Sequence, residues 1–133
     1  MKTIIIQTPP RGTGYTWLSK RIKTELGFKG AIIAALEIWG GEECEIEELK
    51  CKGDKFAPNK DTLVFCMGYP NISPKELFEK DPKLGTIEEI TKYCEHSKRI
   101  EKTAKKLGLK FFDVSKREEG FIDKILDYVK TKI

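Results

Sequence analysis

Short apolar runs alternate with longer amphipathic stretches along the whole chain of 133 residues. The apolar runs show little alternation with polar residues, which favours strands covered on both faces. The stretches between them carry apolar residues at helical spacing, as in amphipathic helices packed on one side. The predicted strands are 3–7, 31–36, 61–68 and 109–114. The predicted helices are 16–26, 42–49, a helix opening at 73, 86–107 and 117–132.

Strands that alternate with helices predict an α/β fold, with a mainly parallel sheet between two helical layers in an α/β/α arrangement. We expect one domain over residues 1–133, because this length supports a single core and no segment is low in complexity. In such sheets, ligands bind at the carboxyl ends of the strands. The segments 8–16, 68–70 and 113–115 each follow a predicted strand and are therefore expected to meet at one edge.

Several helix ends carry recognisable boundary signals. Ser73 followed by Pro74 is typical of a helix start. Thr86 and Glu89 have the spacing of a capping box, and Gly108 is suited to end the same helix. The inner side of the helix 86–107 is predicted to hold Ile87, Ile90, Cys94, Ser97, Ile100, Ala104 and Leu107.

The charge and hydropathy of the chain exclude several classes of function. Charged residues make up 35% of the chain and the formal net charge is +4. No apolar run approaches the roughly 20 residues of a membrane span, and the N-terminus does not have the pattern of a signal peptide, so we expect a cytoplasmic protein with no membrane partner. The basic residues near 98–110 are not interleaved with aromatic residues, so nucleic-acid binding is not expected. The sequence does not predict an oligomeric state.

The cysteine and histidine content restricts the chemistry further. The four cysteines include no C-x-x-C pair and match none of the usual zinc spacings. Cys66 falls in an apolar run and Cys94 on an apolar helix face, so both are predicted to be structural thiols. His96 is the single histidine, which excludes a histidine-based triad and a site with several histidine ligands.

The first nineteen residues hold the strongest functional signal. They are predicted to form a strand, a turn with two glycines, and the start of a helix, which together can cradle a phosphate or sulfate. Against the nucleotide-binding pattern G-x-x-x-x-G-K-[ST], the best register is residues 9–16, PPRGTGYT. Gly14 and Thr16 match this pattern. Pro9 replaces its first glycine, and Tyr15 replaces its lysine.

The chain from residue 64 to its end resembles small nucleoside and nucleotide kinases with a phosphate-binding loop. The matching segments are FCMGYP at 65–70, EHSK at 95–98 and LKFFDVS at 109–115. With the N-terminal loop, the resemblance covers about two thirds of the chain, whereas 27–60 matches poorly. The resemblance implies ATP or GTP with Mg²⁺, and a purine base near Asp113 and Ser115.

Under this resemblance, the backbone amides of Gly12, Thr13, Gly14, Tyr15 and Thr16 would hold the phosphates. The charge of the phosphates would be neutralised by Arg11, and Mg²⁺ would be held by Thr16 with Asp54 behind it. Arg11 and Asp54 are thus the candidate catalytic residues.

Tyr15 limits the chemistry expected of such a site. The lysine that it replaces makes charge-assisted bonds, each worth about 1.5–3 kcal/mol. We therefore expect a binding site that keeps its backbone amides and helix N-terminus but does not support fast phosphoryl transfer.

A shorter resemblance is to sulfotransferases, whose donor-binding loop has the pattern P-[KR]-x-G-T-[TS]-[WL]-L. Residues 10–18, PRGTGYTWL, are similar to it with one residue inserted. This alternative implies a sulfonate donor nucleotide held by Arg11 and Thr16. Segment 68–70 has no arginine where that family holds the donor's other phosphate. If the chain is an enzyme, both resemblances imply a nucleotide-dependent transferase.

The same residues can also have purely structural roles, and the sequence leaves these alternatives to ligand binding open. Arg11 is also suited to pair with a surface carboxylate, Tyr15 to fill the space of the missing lysine, and Trp17 to pack in the core or an interface. Asp54 and Asp113 suit turns for their backbone bonds alone. A third function class is therefore a non-catalytic interaction protein on a decayed scaffold of this type.

Overall fold

The structure, a computed structural model, describes residues 1–35 and 60–133. Several sequence predictions lie outside these residues: the helix at 42–49, the metal and catalytic roles of Asp54, and the turn that contains it. Within them the chain alternates strands and helices as predicted. In chain order the elements are β1 (Thr3–Gln7), α1 (Tyr15–Glu25), β2 (Ala31–Ala35), β3 (Thr62–Gly68), α2 (Pro74–Lys80), a 3-10 turn (Pro82–Leu84), α3 (Ile87–Leu107), β4 (Lys110–Asp113) and α4 (Phe121–Lys132).

The four described strands form one sheet in the order β2-β1-β3-β4, and every pairing is parallel. In the centre of the sheet, Ile5 of β1 lies opposite Ile33 of β2 and Val64 of β3. The strand that follows β1 in the chain, β2, lies on one side of β1, whereas β3 and β4 lie on its other side. The order of the strands therefore changes direction between β1 and β3. In open α/β sheets, ligands bind outside the carboxyl ends of the strands at such a switch point.

Helices cover both faces of this sheet. Alternate residues of β1 and β3, such as Ile6 and Phe65, pack in one cluster with Leu18 and Ile22 of α1 and with the buried side of α4. The residues between them face the other way, where Cys66 packs against Ile100 and Ala104 of α3. The predicted α/β class with a parallel sheet is confirmed. No helix in the described ranges is long and apolar enough to cross a membrane.

The predicted boundary signals of α3 are confirmed. The Thr86 hydroxyl accepts a bond from the backbone N–H of Glu89, whose carboxylate accepts the N–H of Thr86, so the capping box is complete. At the other end Gly108 has φ 70°, a left-handed conformation that favours glycine. Cys66 and Cys94 are buried free thiols as predicted, and burial raises the pKa of the Cys66 thiol to about 12.

The capping box gives a testable contribution to stability. Thr86→Ala is expected to lower the free energy of unfolding by about 1 kcal/mol, since the substitution removes the acceptor for an otherwise unpaired N–H. Urea unfolding followed by circular dichroism measures this change. Lys92→Ala on the exposed side of α3 is the control and should change stability by less than about 0.5 kcal/mol. Equal values for the two variants would contradict the capping role.

Three details of the sequence prediction are wrong: the start of one helix and the burial of two side chains. The last helix begins at Phe121 instead of 117, because Arg117 and Gly120 adopt positive φ values of 55° and 80° and hold a turn before it. Ile87 is exposed although helical spacing placed it on the inner side of α3, because it lies in the first turn, beyond the cluster that Ile90 joins. For α2 the sequence predicts an apolar side made of Leu77 and Phe78, but only Leu77 is buried and Phe78 is exposed.

Candidate functional site

A cleft of about 460 Å³ opens beside the segment that connects β1 to α1. Residues 8–17 form most of its lining, Ala34 contributes from β2, and Lys83 and Leu84 complete it. Every loop residue from Arg11 to Thr16 lines this cleft. The structure therefore brings together the candidate residues that the sequence placed in the loop.

The two glycines of the loop are required by its conformation. Gly12 and Gly14 have φ values of 89° and 75°, which L side chains rarely adopt. A Cβ atom on Gly12 would lie 3.2 Å from side-chain atoms of both Leu84 and Tyr69. The loop is therefore closely packed against its neighbours, and it is more than a loose connection between a strand and a helix.

Two side chains from other loops hold the carbonyl groups of this segment. The Tyr69 hydroxyl donates to the Arg11 carbonyl at 2.7 Å, and the Arg117 guanidinium donates to the Gly12 carbonyl. Burial raises the pKa of Tyr69 above its ordinary value, so the phenol stays protonated and can donate this bond. The hydroxyl groups of Thr8 and Thr13 lie 2.6 Å apart and close the base of the loop.

The first turn of α1 leaves its amide groups without a side-chain cap. Gly14 is the N-cap residue, has no side chain to accept a bond, and the first turn contains no acidic residue. The N–H of Leu18 makes the bond to the Gly14 carbonyl at 2.9 Å that starts the helix. A helix N-terminus carries about half a positive charge, so this end favours an anion.

The side chains around the cleft add positive charge. Arg11 and Lys83 both line it, and none of its described lining residues is an aspartate or a glutamate. A nitrogen of the Arg11 guanidinium donates to the Leu84 carbonyl at 3.2 Å, which holds the side chain against this second segment of the lining. Glu89 is not in the lining but lies near Arg11: hydrogen bonds from Thr86 are the main cause of its lowered pKa, and the charge of Arg11 contributes. This carboxylate offsets part of the Arg11 charge, whereas the lining itself holds two cationic side chains and no carboxylate, which favours an anionic ligand.

The two aromatic residues at the start of α1 occupy different environments. Tyr15 is half-buried against the main core cluster, and burial raises its pKa. Trp17 is 65% exposed and lines the cleft, so the core interpretation of this residue is wrong. The signal was present in the sequence, because Leu18, Ile22 and Leu26 define the inner side of the helix at four-residue spacing and Trp17 lies outside that series.

Asp113 and Ser115 lie outside the lining of this cleft. Asp113 accepts bonds from both the backbone N–H and the hydroxyl of Ser115, and its other oxygen accepts the Asn71 amide at 2.6 Å. Partial burial raises the pKa of Asp113, but the bonds from Ser115 and Asn71 outweigh this effect and lower it overall. These contacts join the ends of β3 and β4, as expected for a turn-capping aspartate.

The described part of the cleft offers little to a metal ion. Thr16 lines it and supplies a hydroxyl, whereas Asp54, its predicted partner, lies outside the described residues. Residues 1–35 and 60–133 hold no group of three or more His, Cys, Asp or Glu side chains placed to share a metal.

Sequence patterns did not identify three residues that shape the cleft: Lys83, Tyr69 as a hydrogen-bond donor, and Arg117. Tyr69 is 58 positions and Arg117 is 105 positions away from the loop carbonyl that each contacts. No local motif encodes such contacts. The expectation that segments after the strands meet at one edge was the only signal available, and the contacts of Tyr69 with the first loop confirm it for β1 and β3.

Comparison with known proteins adds no relative: no family model, no curated protein and no solved structure matches this chain. The resemblances to kinases and sulfotransferases therefore remain predictions.

Proposed function

We propose that the protein binds a nucleotide or another phosphorylated ligand in the cleft formed by residues 8–17, Ala34, Lys83 and Leu84. The observation that carries this proposal is the charge of the lining. Arg11 and Lys83 both line the cleft beside an uncapped helix N-terminus, and its described lining residues include no carboxylate. Charge-assisted bonds to phosphate are among the stronger hydrogen bonds in proteins.

The orientation of the loop peptides supports the same ligand class. In a trans peptide, the C=O and the following N–H point in opposite directions. The Arg11 and Gly12 carbonyls bond to Tyr69 and Arg117, which do not line the cleft. We therefore infer that the N–H groups of Gly12 and Thr13 point towards the cleft. Together with the amides of the first helical turn they form a cradle for phosphate oxygens.

The proposal is for binding and does not extend to phosphoryl transfer. Tyr15 stands where a nucleotide kinase of this type has its loop lysine, and its ring packs against the core. The contact that most stabilises a transferred phosphoryl group is thereby missing. On this interpretation the chain has a fold similar to nucleotide kinases, with a degenerate phosphate-binding loop that retains affinity for the anion.

A sulfonate donor nucleotide is the second candidate ligand. It is favoured by one observation: Arg11 and Thr16, the two residues that this alternative assigns to the donor, line the same cleft. The two candidates share the phosphate contacts and differ in what is attached to the phosphate. If neither ligand binds, the remaining candidate function is that of a non-catalytic interaction protein.

A melting experiment with a small set of ligands tests the proposal. Mg-ATP, Mg-GTP, inorganic pyrophosphate and the sulfonate donor nucleotide are each added at millimolar concentration to the full chain. A ligand present at one hundred times its Kd stabilises the native state by about 2.7 kcal/mol, which raises the melting temperature by several degrees. We expect at least one phosphorylated ligand to produce this shift.

Charge-removing variants locate the binding site. Arg11→Ala and Lys83→Ala are each expected to weaken that ligand about tenfold, the effect of losing roughly 1.4 kcal/mol of interaction. Lys20→Ala removes the same charge from an exposed position of α1 outside the cleft and should leave affinity unchanged. No shift with any ligand would contradict the proposal, and equal losses in all three variants would show that the net charge of the protein, and not the cleft, attracts the ligand.

A further inference from the structure

We propose that Arg117 is a positioning residue that holds the two walls of the cleft together and sets the orientation of the Gly12–Thr13 peptide. This inference rests on the proposed function, since it assigns a residue to the same phosphate cradle. Arg117 itself does not line the cleft. Its effect is therefore exerted through the loop.

The contacts of one guanidinium group carry the inference. One nitrogen donates to the Gly12 carbonyl on the loop side, and the other lies 3.3 Å from the Asp81 carboxylate. Asp81 comes directly before the turn Pro82–Leu84, whose last two residues also line the cleft. Arg117 thus links the segment after β1 to the segment that carries Lys83. Its side chain is only 25% exposed, which strengthens such contacts relative to a fully solvated pair.

The backbone at Arg117 indicates that this contact is built into the fold. Its φ is 55°, and it is the one non-glycine residue with positive φ in the described ranges. An L residue in this conformation is disfavoured compared with glycine. The turn before α4 nevertheless holds an arginine there, and this backbone directs the side chain to Gly12 and Asp81. A purely structural turn would be satisfied by glycine, as at Gly120 nearby.

Loss of the contact has a defined consequence for the cradle. The Gly12–Thr13 peptide turns about the backbone of Gly12 on one side and of Thr13 on the other. Gly12 has no Cβ and a left-handed φ of 89°, so it offers little steric resistance to such a rotation. If the Gly12 carbonyl is not held, the peptide is free to turn and present its oxygen to the cleft in place of the Thr13 N–H. An oxygen in that position repels the phosphate that the N–H would bind.

The substitution Arg117→Gly tests this inference, because glycine tolerates the positive φ while the side chain that carries the guanidinium is lost. In the full chain we expect the affinity for pyrophosphate and Mg-ATP, measured by calorimetric titration, to fall about tenfold. The melting temperature should stay within a few degrees of the native value. In ¹H–¹⁵N spectra without ligand, the amide signals of Gly12 and Thr13 should shift or broaden. Asp81→Asn, which keeps an acceptor but removes its charge, should produce a smaller loss of affinity.

Arg21→Ala is the matched control. Arg21 also links separate segments, from α1 to Asp123 of α4, and its side chain is 31% exposed, but the loop is not among its partners. We expect this variant to bind as the native protein does. Native binding with unchanged affinity in Arg117→Gly would overturn the inference and leave the proposed function intact. If the native protein binds neither probe, the proposed function and the role assigned to Arg117 both fail. Unchanged Gly12 and Thr13 signals in Arg117→Gly would overturn the positioning role separately.

Discussion

Gly12→Val is expected to reduce the affinity for pyrophosphate and Mg-ATP by about 100-fold, which corresponds to roughly 2.7 kcal/mol. Valine is strained at a φ of 89°, and its Cβ would lie 3.2 Å from both Leu84 and Tyr69. Tyr69 is fully buried and bonded to the Arg11 carbonyl, so it has no free space to move into. The loop must shift instead, and its amides then leave the positions that form the phosphate cradle.

The measurement is a calorimetric titration of the folded variant, with Gly27→Val as the matched control. Gly27 also has a positive φ, 64°, but a Cβ there would meet no atom within 4 Å. The control therefore introduces comparable backbone strain, about 1–2 kcal/mol, away from the cleft. We expect it to lower stability and leave affinity unchanged. Native affinity in a folded Gly12→Val protein would show that the loop conformation does not govern binding.

Phe65→Ala is expected to have the largest effect on stability, lowering the free energy of unfolding by about 3–5 kcal/mol. Phe65 lies in the inner strand β3 and has no solvent exposure. Its ring makes edge-to-face contacts with Phe112 of β4 and Tyr128 of α4, at centroid distances of 5.7 and 5.8 Å. Alanine would remove these contacts and leave a cavity where the sheet meets the helical layer.

Guanidinium unfolding measured by fluorescence and circular dichroism tests this expectation. The control is Phe78→Ala, because Phe78 is 37% exposed on the short helix α2 and packs less fully. Its loss should cost about 1 kcal/mol or less, in the range of partly exposed substitutions. A similar cost for both variants would contradict the assignment of the main core to the face of β3 that holds Phe65.

Hydrophobic pattern alone was sufficient to predict the strands and most helices in the described part of the chain. The run at 61–68 lacks alternation because α4 and α3 cover its two faces, and the structure places Phe65 and Cys66 in clusters on opposite sides. Thr86 and Gly108 marked the ends of α3 because capping is a local interaction, determined by residues only a few positions apart.

The failures have a different physical origin. The start of α4 was placed too early: residues 117–120 hold no apolar residue that would mark a helical side, and Arg117 and Gly120 have positive φ values. The side chain of Arg117 contacts Gly12 and Asp81, which are distant in sequence. Trp17 was predicted to pack in the core or an interface because large aromatic residues are usually buried, yet it lies outside the core and lines the cleft. Periodicity identifies which side of a helix faces the core, but it does not reveal which surface residues face a cleft.

The candidate site was predictable to the extent that it is local. Residues 11–16 line the cleft together, as a strand, glycine loop and helix start imply. The second wall, formed by Lys83 and Leu84, comes from a turn between α2 and α3 and had no sequence signal. Asp113 and Ser115 lie at the same edge of the sheet but bond to each other and Asn71 instead of lining the cleft. Their predicted place near a purine base is not tested by these contacts.

A ¹H–¹⁵N titration of the full chain with inorganic pyrophosphate and with Mg-ATP tests binding at this cleft most directly, because it reports affinity and location together. We expect saturable shifts concentrated in the backbone amides of residues 12–16 and at Lys83, with the exposed amides of α3 unaffected. The absence of saturable shifts with both probes, or shifts centred on a different surface, would contradict the proposal that this loop binds a phosphorylated ligand.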